Sequence, residues 1–218
     1  GCSVVVADVP FPLHGPDDVV DAILPAITQR TALVLLDHVT SPTAVVNPIE
    51  DIVAGLDPSV IVLVDGAHAP GMIDVDLAAL GVDFYTANCH KWICSPKGAG
   101  FLWAAEPYRD FMVAASVSHG YNDGWLGSGS RFHAQFDWTG TDDPTARLCV
   151  AQALAVVGDH RSGGWAEVRS TNHELALAAR DLLVTTLSID APAPDDMLGS
   201  IAAVPVPPDP EPSESIFD

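Results

Sequence analysis

The stretch "VIVLVDGAHAPG", residues 60–71, contains the clearest strand signal in this chain. Its five leading apolar residues, mostly β-branched, predict a buried strand that ends at Asp65, where glycine and proline turn the chain. A carboxylate at the end of a buried strand needs a cationic partner or hydrogen-bond donors, because isolated buried charge is costly. Taken alone, the segment is more typical of an aspartate that stabilises a turn.

Similar apolar runs lie on both sides of this segment. Strands are predicted at 4–6, 31–36, 60–64, 83–86 and 100–103. Between them, helices are predicted at 17–30 and 48–56, the second with Asn47 as its cap and Pro48 as its first residue. This alternation predicts an α/β fold in which a mainly parallel sheet is flanked by helices on both faces.

The pattern changes after residue 140. Residues 142–159 are apolar nearly all round and predict a buried helix, whereas 165–187 have the spacing of a long amphipathic helix. We therefore predict a large domain over 1–160, a linking helix over 161–187, and the start of a smaller domain over 188–218. Both ends look cut, which predicts the middle of a longer protein.

Composition excludes several classes of partner. The net charge of −20 argues against binding to nucleic acid or to an anionic membrane. No apolar run reaches the roughly 18 residues that a membrane span requires. The four cysteines form no Cys-x-x-Cys pair, which favours a reducing, cytoplasmic location.

The segment "YTANCHKWICSPKGAGFLW", residues 85–103, holds both lysines of the chain. Lys91 follows a predicted strand, so Asp65, His68, His90 and Lys91 should converge where the parallel strands end and ligands collect. Pyridoxal phosphate needs such a set: an amine for its aldehyde, a carboxylate for its pyridine nitrogen, and donors for its phosphate.

These motifs also carry a family resemblance. "VDGAHAPG", "DFYTANCHKW" and "KGAGFLW" resemble the class V aminotransferases, fold type I pyridoxal phosphate enzymes. "DHVTSPTAVVNPI", "NCHKW" and "FDWTGTDDPTA" are most similar to the isopenicillin N epimerase-like branch. The resemblance runs from residue 1 to about 204. It implies the cofactor-binding large domain of that fold, followed by a smaller α+β domain.

The resemblance implies a role for each matching residue. Lys91 would bind the cofactor covalently and act as the catalytic residue, while Asp65 would pair with the pyridine nitrogen. His68 would lie beside the ring near its phenolic oxygen, and His90 would donate to the phosphate. Asn88 would also lie near the phosphate, or would only shape a turn. The two histidines could instead be ordinary packed or surface residues.

Three hydroxyl residues have weaker assignments. Thr40 and Ser41 would approach the ring hydroxyl or the substrate, or would only stabilise their loop. Thr141 would reach the phosphate in a neighbouring subunit, which implies a homodimer with shared active sites, or would lie at the cap of the next helix. Lys97 is expected to be solvated.

The implied function is pyridoxal phosphate chemistry at the α-carbon of an amino acid, most like an epimerase or a C–S lyase. An aminotransferase or a cysteine desulfurase of the same family is the alternative. Two other classes stay open: a zinc site, built from His68, Cys89, His90 and Cys94, and an inactive dimerising or regulatory homologue. Relatives carry a phosphate loop and a ring-stacking residue before these motifs and a carboxylate-binding arginine after them. We therefore expect this piece alone to be inactive.

Overall fold

The computed structural model describes residues 1–122 and 129–206. Its sheet has the order β1-β2-β3-β4. The strands are β1 (Leu33–Asp37), β2 (Ile61–Asp65), β3 (Phe84–Asn88) and β4 (Gly100–Ala104). The first three are parallel, and β4 runs antiparallel to β3. The predicted mainly parallel α/β sheet is therefore confirmed.

The prediction of a strand at 4–6 is wrong. In the described part of the chain these valines pair with no other strand, and the Val4 side chain is 89% exposed. Three consecutive valines favour an extended backbone, but a strand forms only where a neighbouring strand supplies hydrogen-bond partners.

The described residues contain eight α-helices and two 3-10 turns, Leu24–Ala26 and Asp195–Met197. The helices are α1 (Pro16–Ile23), α2 (Ile49–Ala54), α3 (Glu106–Arg109), α4 (His119–Asn122), α5 (Arg131–Phe136), α6 (Thr145–Leu148), α7 (Val150–Asp159) and α8 (Gly164–Leu187). The helix predicted over 17–30 ends early, because Pro25 lacks the N–H that would continue it. Asn47 does not cap α2; its amide donates instead to the carbonyl of Asp37, at 2.8 Å.

The main core lies on one face of the sheet. Alternate residues of β1, β2 and β3 are buried together with residues of α1 and α2. The strands contribute Val34, Leu36, Val62, Val64, Tyr85 and Ala87, and the helices contribute Val19, Ile23, Ile49 and Ile52. On the other face, Leu33 and Leu35 are exposed, and Tyr108 of α3 contacts Phe84. Helices therefore lie on both faces of the described sheet, α1 and α2 on the core face and α3 on the other, which agrees with the predicted flanked sheet.

The segment after α8 packs against this same core. Met197 and Leu198 are buried in it, and the Val46 amide donates to the Met197 carbonyl at 2.8 Å. The buried Arg180 guanidinium of α8 donates to the carboxylates of Asp181 and Asp195. The division into a large domain, a linking helix and a second domain stays a prediction.

The prediction of a buried helix over 142–159 is wrong. The chain forms two helices there, α6 and α7, which meet at Cys149, and neither contains a buried residue. The predicted long helix is confirmed as α8, but Leu175 and Leu182 on its apolar stripe are exposed. Helical periodicity predicts that a helix forms, but only the tertiary contacts decide which face is covered.

The described part of the chain has no helix that is both long enough and apolar enough to cross a bilayer.

Gly66 offers a direct test of this packing. A Cβ at this position would lie 2.1 Å from ring atoms of Tyr85, which is fully buried. We expect Gly66→Ala to lower the free energy of unfolding of the whole protein by about 3 kcal/mol, because an overpacked core must distort. Gly15→Ala is the matched control, since an added Cβ there meets no atom within 4 Å. Equal denaturant midpoints for the two variants would contradict this packing.

Candidate active site

Two aspartates end neighbouring strands at the same level. Asp37 is the last residue of β1 and Asp65 the last of β2, and the parallel register pairs them directly. The Asp65 carboxylate accepts a hydrogen bond from the Ala67 amide at 2.8 Å, so it also stabilises the turn after β2. The structural and the functional interpretations of Asp65 are therefore compatible.

The buried side chain of Tyr85 packs against this turn. Gly66 leaves room for the Tyr85 ring, and the Tyr85 hydroxyl is hydrogen-bonded to His38 Nδ1 at 2.8 Å. Burial raises the pKa of Tyr85 and lowers the pKa of His38, so both side chains are neutral at pH 7. A neutral pair of this kind can fix the turn without placing a charge in the core.

His68 and Lys91 meet beside the aspartates. Lys91 Nζ lies 3.0 Å from His68 Nε2, and the indole N–H of Trp92 donates to His68 Nδ1 at 3.4 Å. The two loops are in contact at Gly71, whose φ is 90°, and a Cβ there would lie 2.7 Å from the Trp92 carbonyl. A glycine is required at this point, because its φ and the close backbone contact both exclude a side chain.

The four groups influence one another electrostatically. Burial and then the Lys91 charge lower the pKa of His68, while the two aspartates oppose them. Burial and then the Asp65 charge raise the pKa of Asp37, while His68 and Lys91 oppose them. Two carboxylates, one imidazole and one amine thus share a single site at the carboxyl ends of β1 and β2.

Asp37 was not recognised from the sequence as part of this site. A signal was present: "LVLLDH", residues 33–38, is a strand-length apolar run ending in aspartate, as is "VLVDGAH" at 62–68. His38 and Tyr85 were also missed, because the support they give depends on a contact between residues 47 positions apart.

The other predicted site residues make contacts of their own. Asn88 ends β3, and the His90 ring contacts the Ala99 carbonyl at 3.4 Å. Thr40 holds its own loop, because its hydroxyl accepts from the Val45 amide at 2.9 Å and contacts the Thr43 hydroxyl at 2.6 Å. The loop-stabilising interpretation therefore fits Thr40.

Three predicted positions are exposed: Ser41, Lys97 and Thr141. The N-cap position of α6 is Pro144 and not Thr141, and the Asp143 carboxylate before it accepts from the Thr145 amide at 2.9 Å. Among residues 1–122 and 129–206, no three His, Cys, Asp or Glu side chains are grouped so as to hold a metal ion.

Comparison with known proteins relates this site to a family. The chain is 35% identical to isopenicillin N epimerase of Amycolatopsis lactamdurans over 210 residues, covering 90% of this chain and 52% of that protein. It is 31% identical over 218 residues to the probable chloroplastic L-cysteine desulfhydrase of Arabidopsis thaliana, covering 95% of this chain and 44% of that protein. The chain spans about half the length of the curated relatives it matches.

A solved structure shows the same fold. The apo cysteine desulfurase from Thermococcus onnurineus NA1 superposes with a TM-score of 0.61 at 18% identity, over 85% of this chain and 45% of that one. Residues 4–208 match the family described as aminotransferase class V. The resemblance seen in the motifs is thereby confirmed, and this chain belongs to the class V aminotransferase family, whose members are pyridoxal phosphate enzymes.

Proposed function

We propose that the whole protein is a pyridoxal phosphate-dependent enzyme acting at the α-carbon of an amino acid, as an epimerase or a C–S lyase. The observation that carries this proposal is the 3.0 Å contact between Lys91 Nζ and His68 Nε2, beside the strand-ending Asp65. The family supports the cofactor, and the relatives named as an epimerase and as desulfhydrases support the two reaction types.

The donor set fits the cofactor. With His68 neutral, the two carboxylates outnumber the single amine, so the cluster favours a protonated, cationic pyridine nitrogen beside Asp65. Lys91 would bind the aldehyde, and His68 would lie near the phenolic oxygen. Asn88 and His90 would hold the phosphate, and Thr40 and Ser41 would border the ring or the substrate. When bound, the cofactor supplies an electron-withdrawing ring that stabilises negative charge at the α-carbon.

Each residue of the cluster has a separate proposed role. Asp65 would stabilise a proton on the ring nitrogen, because its carboxylate would lie beside that cation. Lys91 would hold the cofactor, and its amine, when free, would be placed to accept the α-proton at Nζ. His68 orients the Lys91 amine through their short contact.

The two reaction types differ once the α-proton has been removed. An epimerase returns a proton to the opposite face of the α-carbon, whereas a C–S lyase releases the sulfur substituent. The lyase reaction converts cysteine and water into sulfide, ammonia and pyruvate. Stereochemistry and released sulfide therefore separate them.

The test is a product analysis of the whole protein with pyridoxal phosphate and a panel of L-amino acids and cysteine conjugates. Inverted amino acid indicates an epimerase, and sulfide with pyruvate indicates a lyase. Alanine formed from cysteine would instead indicate a desulfurase, and transfer of the amino group to a keto acid an aminotransferase. A protein that binds no cofactor and forms no product would be the inactive dimerising or regulatory homologue, and would overturn the proposal.

We also propose a homodimer in which Thr141 reaches the partner's cofactor phosphate. Its support is the family motif and the exposure of Thr141 outside its own subunit's cluster. Mixing Lys91→Ala with Thr141→Ala subunits should restore activity, because each mixed dimer has one site with both changes and one with neither. Subunits that remain monomeric at assay concentration, or mixtures that gain no activity, would contradict this arrangement.

The proposed location is the cytoplasm. All four cysteines are free thiols, which favours a reducing compartment. One relative is named as chloroplastic, so the location needs its own test. Cell fractionation that places the protein in an organelle or outside the cell would contradict the proposal.

A further inference from the structure

Trp92 contacts the site through His68 and not through Lys91 itself. Its indole packs with an apolar cluster that contains Val39, Ala69 and Met72, which holds the ring in place. From there its N–H donates to His68 Nδ1 at 3.4 Å. An indole N–H can only donate, so this contact requires a lone pair on Nδ1.

That requirement selects one form of the imidazole. Burial, the largest influence, lowers the pKa of His68, so the ring is neutral at pH 7 and carries a single N–H. With Nδ1 accepting from Trp92, the proton is on Nε2, the atom that lies 3.0 Å from Lys91 Nζ.

The two forms of His68 have opposite effects on Lys91. A bare Nε2 would accept a hydrogen bond from the ammonium and stabilise it. An Nε2–H instead donates, and it can only donate to an amine that has lost a proton. We infer that Trp92 is a positioning residue that holds His68 in the Nε2–H form and thereby keeps the Lys91 amine ready to attack an aldehyde.

This inference rests on the proposed function, because it assigns Lys91 to aldehyde capture. In that step the Nζ lone pair of the neutral amine would form a bond to the aldehyde carbon, and the carbonyl oxygen would leave as water with the two amine protons. Besides Lys91, the charged groups acting on His68 are Asp37 and Asp65. Both aspartates are retained in the Trp92 and Trp165 variants that test the inference.

The first measurement needs no substitution. Nitrogen NMR of the whole apo protein with labelled histidine, assigned with His68→Gln, should show a protonated Nε2 and a bare Nδ1 on His68. A wild-type His68 protonated on Nδ1 would overturn the inference.

The second measurement tracks capture of pyridoxal phosphate, trapped with borohydride and mapped to the Lys91 peptide, as a function of pH. Trp92→Phe keeps an aromatic ring but removes the donor. We expect capture near neutral pH to slow by about three- to tenfold, the value of one hydrogen bond, and its pH profile to move to higher pH. The His68 signal should lose its Nε2–H form in the same variant.

Trp165→Phe is the matched control. It removes another indole hydrogen bond, to the Leu154 carbonyl at 2.9 Å, far along the chain from this cluster. Its capture profile should equal that of the wild type. An unchanged profile in Trp92→Phe would refute the inference, whereas wild-type protein that captures no cofactor on Lys91 would refute the proposed function instead.

Discussion

Lys91→Ala abolishes turnover of the whole protein, whereas Lys97→Ala leaves it nearly unchanged: this is the largest effect that we expect. Lys91 Nζ lies 3.0 Å from His68 in the cluster, and Lys97, six positions further on, is exposed. Loss of the amine that is proposed to bind the cofactor and move a proton should lower kcat by about 10³-fold or more. An exposed charge, by contrast, usually changes stability by no more than about 0.5 kcal/mol.

The measurement combines kinetics with peptide mapping. After incubation with pyridoxal phosphate and reduction with borohydride, the cofactor should be found on the peptide that contains Lys91. Some noncovalent binding should survive in Lys91→Ala through Asp65 and the phosphate contacts. A fully active Lys91→Ala enzyme, or an adduct found mainly on Lys97, would overturn the assignment of the site.

Asp65→Asn should have the second-largest effect. The substitution keeps an oxygen that can accept from the Ala67 amide, so the turn should survive and the cofactor should still bind. It removes the negative charge that, in the proposed site, would keep the pyridine nitrogen protonated. We expect kcat to fall by about 10²- to 10³-fold, the usual range when one electrostatic contact to the reacting system is lost.

Asp76→Asn is the control for this substitution. The Asp76 carboxylate accepts from the Ala78 amide at 3.0 Å. Like the bond from Ala67 to Asp65, it joins a carboxylate to the amide two residues further on. Both variants should have unchanged denaturant midpoints, and only Asp65→Asn should lose turnover. Near-normal turnover in Asp65→Asn would show that its carboxylate serves the turn alone.

Local signals in the sequence were sufficient for much of the fold. The apolar runs that end at Asp37 and Asp65 predicted β1 and β2 because a β-branched run bounded by turn residues favours a strand. Valines 4–6 carry the same signal and yet form no strand in the described structure. The difference is a neighbouring strand, which no local pattern can supply.

In the candidate site, too, some features could be predicted from local sequence and others could not. The motifs predicted that Asp65, His68 and Lys91 would lie together, because the ends of parallel strands share one edge of a sheet. They did not predict that Asp37 would stand opposite Asp65, or that Tyr85 would lie beneath Gly66. Those contacts depend on strand register and on side-chain packing across the sheet.

The amino-acid sequence was enough to predict β1 to β4, the long helix α8, the family, and the residue types available for chemistry. These depend on periodicity, turn residues and short motifs, all of which act over a few neighbouring positions. The folded structure was needed to show which helix faces are covered and which side chains contact His68. Burial and hydrogen-bond partners are set by segments distant in the chain, so they exist only once the chain has folded.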